Sequence, residues 1–129
     1  MQEGSSLTIY GQPNGDGALI ATGDSGQAGI GGLNGGQNKA PITITIHGGN
    51  IQATGGGGGA GIGCAGPLPS SITIYGGTVT AQGGINSAGI GGGSKTPYYT
   101  VNIYGGNITA SRYAYHDGYG IRGRQRGVR

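Results

Sequence analysis

Apolar and polar positions alternate in short runs along this chain, and the runs recur. Leu7-Thr8-Ile9-Tyr10-Gly11 returns as Ile44-Thr45-Ile46-His47-Gly48, as Ile72-Thr73-Ile74-Tyr75-Gly76 and as Val101-Asn102-Ile103-Tyr104-Gly105. A second run follows each: Ala18-Leu19-Ile20-Ala21-Thr22, Asn50-Ile51-Gln52-Ala53-Thr54, Thr78-Val79-Thr80-Ala81-Gln82 and Asn107-Ile108-Thr109-Ala110. A third appears as Ala28-Gly29-Ile30-Gly31, Ala60-Gly61-Ile62-Gly63 and Ala88-Gly89-Ile90-Gly91, and survives in the fourth copy as Gly120-Ile121-Arg122-Gly123, two residues late. Runs this short, β-branched and alternating predict strands rather than helices.

The opening run recurs at intervals of 37, 28 and 29 residues. The first interval is long because Gln12 to Asp16 form an insertion and the loop after Ile30 is extended. Glycine pairs at 48–49, 76–77 and 105–106 separate the first and second strands, where a tight corner needs positive φ. Three strands and three corners per repeat describe a triangular coil, and such coils stack with parallel strands roughly 4.8 Å apart. A leucine-rich repeat has similar length, but its LxxLxLxxN pattern is missing. The expected fold is all-β: a parallel β-solenoid, or β-helix, of about four triangular coils, right-handed by the usual sense of parallel crossovers. It forms a single domain over residues 1–129, with repeats at 7–43, 44–71, 72–100 and 101–129. The last repeat is degenerate and carries a basic tail over 112–129.

These repeats resemble a known family. The pattern GG-x-[VI]-x-A-x-GG…GAGIGG is similar to the β-helical Gly-rich repeats of cell-surface proteins from Gram-positive bacteria and, more distantly, to carbohydrate-binding β-helix domains. The resemblance covers residues 7 to about 110 and stops at the tail. It implies an extracellular or cell-surface location and, through the distant likeness, polysaccharide as a partner.

Composition agrees with a narrow core. The chain has 35 glycines, 5 prolines, no Trp and no Phe, which without a period would predict disorder. Small and β-branched side chains can still fill a tube one residue wide.

Alternation assigns the faces. With Ile44, Ile46, Ile51 and Ile62 inward, the first strands show Thr8, Thr45, Thr73 and Asn102 in one outward column and Tyr10, His47, Tyr75 and Tyr104 in the next. The second strands show Asn50, Thr78 and Asn107, then Gln52, Thr80 and Thr109. The third show glycine: Gly29, Gly61, Gly89 and Gly120, beside Gly31, Gly63 and Gly91. The column Tyr10, His47, Tyr75, Tyr104 is the candidate ligand-binding set, since aromatic groups hold glycans. The plainer reading is that rings one coil apart stack on each other and hide their faces. The glycine face either lets a flat partner approach or answers a tight curve, the latter being favoured. Ice binding needs two clean adjacent threonine rows, and these are interrupted.

The net charge is +3 at neutral pH, and five of the seven basic residues lie in the tail: Arg112, Arg122, Arg124, Arg126 and Arg129. Arginines interleaved with Tyr113, Tyr115 and Tyr119 occur in segments that bind single-stranded nucleic acid. They equally suit a solvated end that caps the last coil, or contact with an acidic polymer, and nucleic acid is not the expected partner. No apolar run reaches membrane-spanning length, so no membrane is expected, and no secretory signal precedes the first repeat.

Enzymatic chemistry is not expected. Glycoside hydrolysis needs paired carboxylates, and β-elimination typically needs carboxylate-bound calcium with a base. Glu3, Asp16, Asp24 and Asp117 are the whole carboxylate set, and none recurs in adjacent coils. Asp16 lies in a turn-like Pro13-Asn14-Gly15-Asp16-Gly17 insertion. Two histidines and Cys64 form no zinc set, and no cofactor is implied. The expected function is a non-catalytic extracellular module for display, adhesion or polysaccharide binding. The alternative is a structural subunit stacking end to end into fibres. Met1 to Ser6 offer little cover beyond Met1, so either the chain is cut from a longer array or its N-terminal edge pairs with another copy, and homotypic association through open solenoid ends is the expectation. The tail can guard Ile103 and Ile108 at the other end.

Overall fold

The computed structural model describes residues 1, 4–12, 17–32, 41–64, 70–93, 99–113 and 121–122, and those residues form a parallel β-solenoid. The first coil holds β1 (Ser6–Ile9), β2 (Ala18–Thr22) and β3 (Ile30–Gly31). The second holds β4 (Thr43–Ile46), β5 (Asn50–Thr54) and β6 (Ile62–Cys64). The third holds β7 (Ser70–Ile74), β8 (Thr78–Gln82) and β9 (Ile90–Gly92). The fourth holds β10 (Tyr99–Ile103), β11 (Asn107–Ser111) and β12 (Ile121–Arg122). They make three four-stranded sheets, β1-β4-β7-β10, β2-β5-β8-β11 and β3-β6-β9-β12, every pairing parallel. Each sheet takes one strand from each coil, so the solenoid is three-sided. All of the insertion but Gln12, and residues 33–40 of the extended loop after Ile30, lie outside the described residues.

Register follows the repeat without slippage. Leu7 pairs with Ile44, Ile44 with Ile72 and Ile72 with Val101; Ile51 pairs with Val79, and Ile62 with Ile90. A shift by one residue would turn every inward isoleucine outward, so burial holds the register. Ile44, Ile46, Ile62, Ile72, Ile74, Val79 and Ile90 are completely buried. Each stabilises the fold by about 1.5–3 kcal/mol in burial terms. Ala21, Ala53, Ala81 and Ala110 form a second inward column in the second sheet. Their short side chains suit a tube too narrow for a larger residue.

Inward alternation begins earlier than the first repeated isoleucine. Ile42, Ser70 and Tyr99 are all buried just upstream of it, and the Ile42 amide donates to Ser70 Oγ at 3.1 Å. Tyr99 is thus a core aromatic, distinct from the exposed tyrosines.

Glycine acts at two places. At the first corner Gly49, Gly77 and Gly106 have φ of 100°, 95° and 98°, which side-chain-bearing residues rarely adopt. On the third side Gly31 and Gly63 have φ of 138° and 140°, and a Cβ on them would fall 1.7 and 1.8 Å from the carbonyl oxygens of Gly63 and Gly91. The neighbouring column is equally closed. A Cβ on Gly61 would lie 2.6 Å from Gly89 O and 2.8 Å from the Gln82 amide nitrogen. This corrects the expectation of an outward glycine face. Gly61, Gly63, Gly89 and Gly91 are buried, because the third strand lies against the backbone of the next coil rather than facing solvent. Gly120 lies outside the described residues.

These close approaches predict the cost of adding one methyl group. Gly63→Ala should destabilise the fold by at least about 3 kcal/mol. Gly57→Ala, whose Cβ would meet only Ser25 Oγ at 4.0 Å, should stay within about 0.5 kcal/mol of the parent. Urea unfolding of both variants checks this, and equal effects would contradict the steric account.

Candidate functional site

Tyr10, His47, Tyr75 and Tyr104 each follow the last residue of a first-sheet strand. Backbone pairing continues through them: the amides of His47, Tyr75 and Tyr104 donate to the carbonyls of Ile9, Ile46 and Ile74, each at 2.8 Å. Those bonds hold the rings one coil apart, so stacking is imposed by the backbone. Ring centroids are separated by 4.7 Å (Tyr10–His47), 5.0 Å (His47–Tyr75) and 5.3 Å (Tyr75–Tyr104), with planes inclined by 3°, 8° and 15°. All four sequence-selected residues therefore come together in one ladder.

The ladder covers its own faces. Tyr75, sandwiched between two rings, is 50% exposed, against 74% for Tyr10 and 70% for Tyr104 at the ends. His47 and Tyr75 offer only edges, so the column is no platform of open aromatic faces. What it presents along its length is a line of ring edges at the spacing of the coils.

Polar columns flank the ladder on both sides. On the first sheet, Thr8, Thr45, Thr73 and Asn102 are in register beside it, and Ser6, Thr43, Ser71 and Thr100 form another row beyond them. Sequence reading missed that outer row, although the same alternation extended two residues upstream would have found it. Past the glycine corner, the second sheet shows Asn50, Thr78 and Asn107, then Gln52, Thr80 and Thr109, then Thr54, Gln82 and Ser111. In the first coil Ile20 takes an outward place in this sheet and is 69% exposed.

Apart from Ala18 and Ile20 in the first coil, hydroxyls and amides fill these columns, and no charged side chain stands in them. Asp24 is exposed in the turn after β2, with its Oδ1 accepting from the Ser25 amide at 2.7 Å. Arg112 and Tyr113 are exposed just after β11. Arg122 lies in β12 on the third side, paired with Gly91 in backbone register, whereas the ladder follows the strands of the first sheet. Arg124, Arg126 and Arg129 lie outside the described residues, as do Asp16 and Asp117. Among the described residues, no three His, Cys, Asp or Glu side chains are grouped to hold a metal ion, and no helix is long and apolar enough to cross a membrane.

A family model described as beta helix repeat matches residues 44–66, 72–94 and 101–121, just over half of the chain. Each match opens on the first inward residue of the repeated run, Ile44, Ile72 or Val101. The chain belongs to the beta helix repeat family. In this β-helix the family repeat and the structural coil coincide in phase for the second, third and fourth coils. Neither a curated protein nor a solved structure matches the chain.

The ladder geometry of this β-helix predicts a position-dependent stability loss. Tyr75→Ala breaks two ring contacts and should cost about 1 kcal/mol or somewhat more. Tyr104→Ala breaks one and should cost about half as much. Denaturant midpoints measured at constant slope test the order, and equal costs would show that the rings do not stabilise one another.

Proposed function

We propose that this β-helix is a non-catalytic extracellular module, displayed at a cell surface, that binds neutral polysaccharide. One observation carries the reading: uncharged hydroxyl and amide columns flank a ladder of aromatic edges on two adjoining sides. A neutral glycan offers hydroxyls as donors and acceptors, and a surface of Thr, Ser, Asn, Gln and phenol groups answers them without a charged partner. An anionic polymer would call for basic side chains, and these cluster in the tail rather than on the columns. The same columns repeat from the second coil to the fourth, so a polymer running along the solenoid meets similar groups at each of those steps. Likeness of the GG-x-V-x-A-x-GG…GAGIGG pattern to cell-surface repeats of Gram-positive bacteria supports the location. The absence of any paired or repeated carboxylate in the sequence supports the non-catalytic part.

A polysaccharide array, read beside electron microscopy of the same sample, tests the proposal. Signal on neutral glycans is expected, with none on the anionic ones. Tyr75→Phe combined with Thr45→Val should weaken binding about fivefold while leaving the unfolding midpoint in place, because ring stacking and the core are untouched. Unaltered binding by the double variant would move the site off the ladder side. No product should be released from pectin, cellulose or xylan; release that disappears on mutating Asp16 or Asp117 would overturn the non-catalytic reading.

A further inference from the structure

The first and second sides of this β-helix differ in relief. From the second coil on, the middle outward row of the second sheet, Gln52, Thr80 and Thr109, is exposed. The matching row of the first sheet, Thr45, Thr73 and Asn102, is half-buried. What differs is the neighbour. The second-sheet row runs between hydroxyl and amide side chains, whereas the first-sheet row runs beside the stacked rings of His47, Tyr75 and Tyr104. Long rings beside short side chains make a step. Its floor is the Thr45 row together with the outer row of Thr43, Ser71 and Thr100, and its riser is the line of ring edges. Tyr75 is 50% exposed, so the riser stands in solvent. Every row is in strand register, so the step runs along the solenoid axis.

The chemistry of the riser depends on which part of each ring it shows. An aromatic ring is negative over its faces and positive round its edge. Open faces suit the C–H-covered side of a sugar. Here the faces are turned to one another at 4.7, 5.0 and 5.3 Å, and the edges that remain attract oxygen. Phenol groups and the hydroxyls of the floor add donors and acceptors. A sugar in the step is gripped by its hydroxyl-bearing rim, not by its apolar face.

Resting on the polysaccharide reading above, we propose that this step is the binding site. Its ligand is an extended, unbranched, equatorially linked neutral glycan, lying edge-on along the axis with one sugar to each coil. Linkage follows from spacing. A pyranose chain linked equatorially through opposite carbons of the ring runs nearly straight, and each sugar advances it by close to the ring spacing of the ladder. Successive sugars in such a ribbon turn over, yet hydroxyls line both of its edges, so similar contacts recur at the next coil. An axially linked chain winds into a helix, and its rim turns away from the step within a few sugars. A branch on the bound rim would collide with the riser.

Titration of the full chain with cellohexaose, mannohexaose and maltohexaose, followed by calorimetry and by threonine-methyl NMR, tests the proposal. The two equatorially linked hexaoses should bind about tenfold or more tightly than maltohexaose. Methyl signals of Thr45 and Thr73 should move, while those of Thr80 and Thr109 stay in place. Thr45→Val combined with Thr73→Val keeps the β-branched shape and removes two floor hydroxyls. It should weaken cellohexaose binding about fivefold or more, with circular dichroism and the unfolding midpoint showing that the variant is folded. Should it fail to fold, the methyl shifts of the parent decide. Fully O-methylated cellohexaose should not bind, because its rim can no longer donate. Equal affinity for maltohexaose, shifts centred on Thr80 and Thr109, undiminished binding by the folded variant, or binding that survives O-methylation would each overturn the step assignment. A neutral-glycan module would still stand after any of these results. Binding to some other neutral glycan and to neither equatorially linked hexaose overturns the linkage assignment in the same way, whereas binding to no neutral glycan at all removes both readings.

Discussion

A coil of this protein encloses a single layer of side chains, and one layer cannot shield itself from water. Ile44 is completely buried because Leu7 lies below it and Ile72 above it, each held there by parallel pairing. The isoleucine columns reach full burial only where coils cover them on both sides, and the end rungs show what remains without that cover. Stability is therefore a property of the contact between coils, as in other linear arrays. The hydrophobic gain and the backbone hydrogen bonds are obtained in the same step, by bringing one coil to strand-pairing distance from the next.

That distance explains the glycines. Where strands run straight, side chains point in or out and do not obstruct the neighbouring coil. Where the chain turns, or where the third strand crosses close to the backbone of the next coil, a Cβ would point along the stacking direction. Gly63 is such a place, with the Gly91 carbonyl where a methyl group would sit. Asn86 is the one described non-glycine residue with positive φ, at 57°, in the turn that follows β8. A short polar side chain is the type that tolerates this conformation best. The high glycine content, which looks like low complexity, is a stereochemical demand repeated once per coil at fixed places.

The surface inherits the same regularity. Because register is fixed by the core, whatever residue type occupies an outward position becomes a column, and a column is a row of identical chemistry at coil spacing. Ring-on-ring stacking of Tyr10, His47, Tyr75 and Tyr104 is one result, and the uncharged Thr, Ser, Asn and Gln rows beside it are another. In the function proposed above, the ladder uses different parts of the same rings: faces for the fold, edges and phenol groups for a ligand.

The sequence by itself determined the strand positions, the three-sided coil, the parallel pairing and the membership of the aromatic column. All of these follow from alternation and repeat phase, which are one-dimensional properties. It pointed to the inward isoleucines correctly for the same reason, yet passed over Ile42, Ser70 and Tyr99, whose shared inward column has no common residue type to reveal it. The fate of the glycine columns was also beyond it. Alternation says that Gly61 points away from the isoleucines, but only the course of the neighbouring coil shows that this direction ends on the backbone near Gln82. Between open ring faces and a ladder that covers its own, sequence reading favoured the ladder, but tertiary structure decided it, since that depends on the plane of each ring relative to the solenoid axis. It also decided how the third side of the first coil is covered. Met1 closes one side of the first coil by reaching Gly31, a contact between residues far apart in the chain that no local pattern encodes.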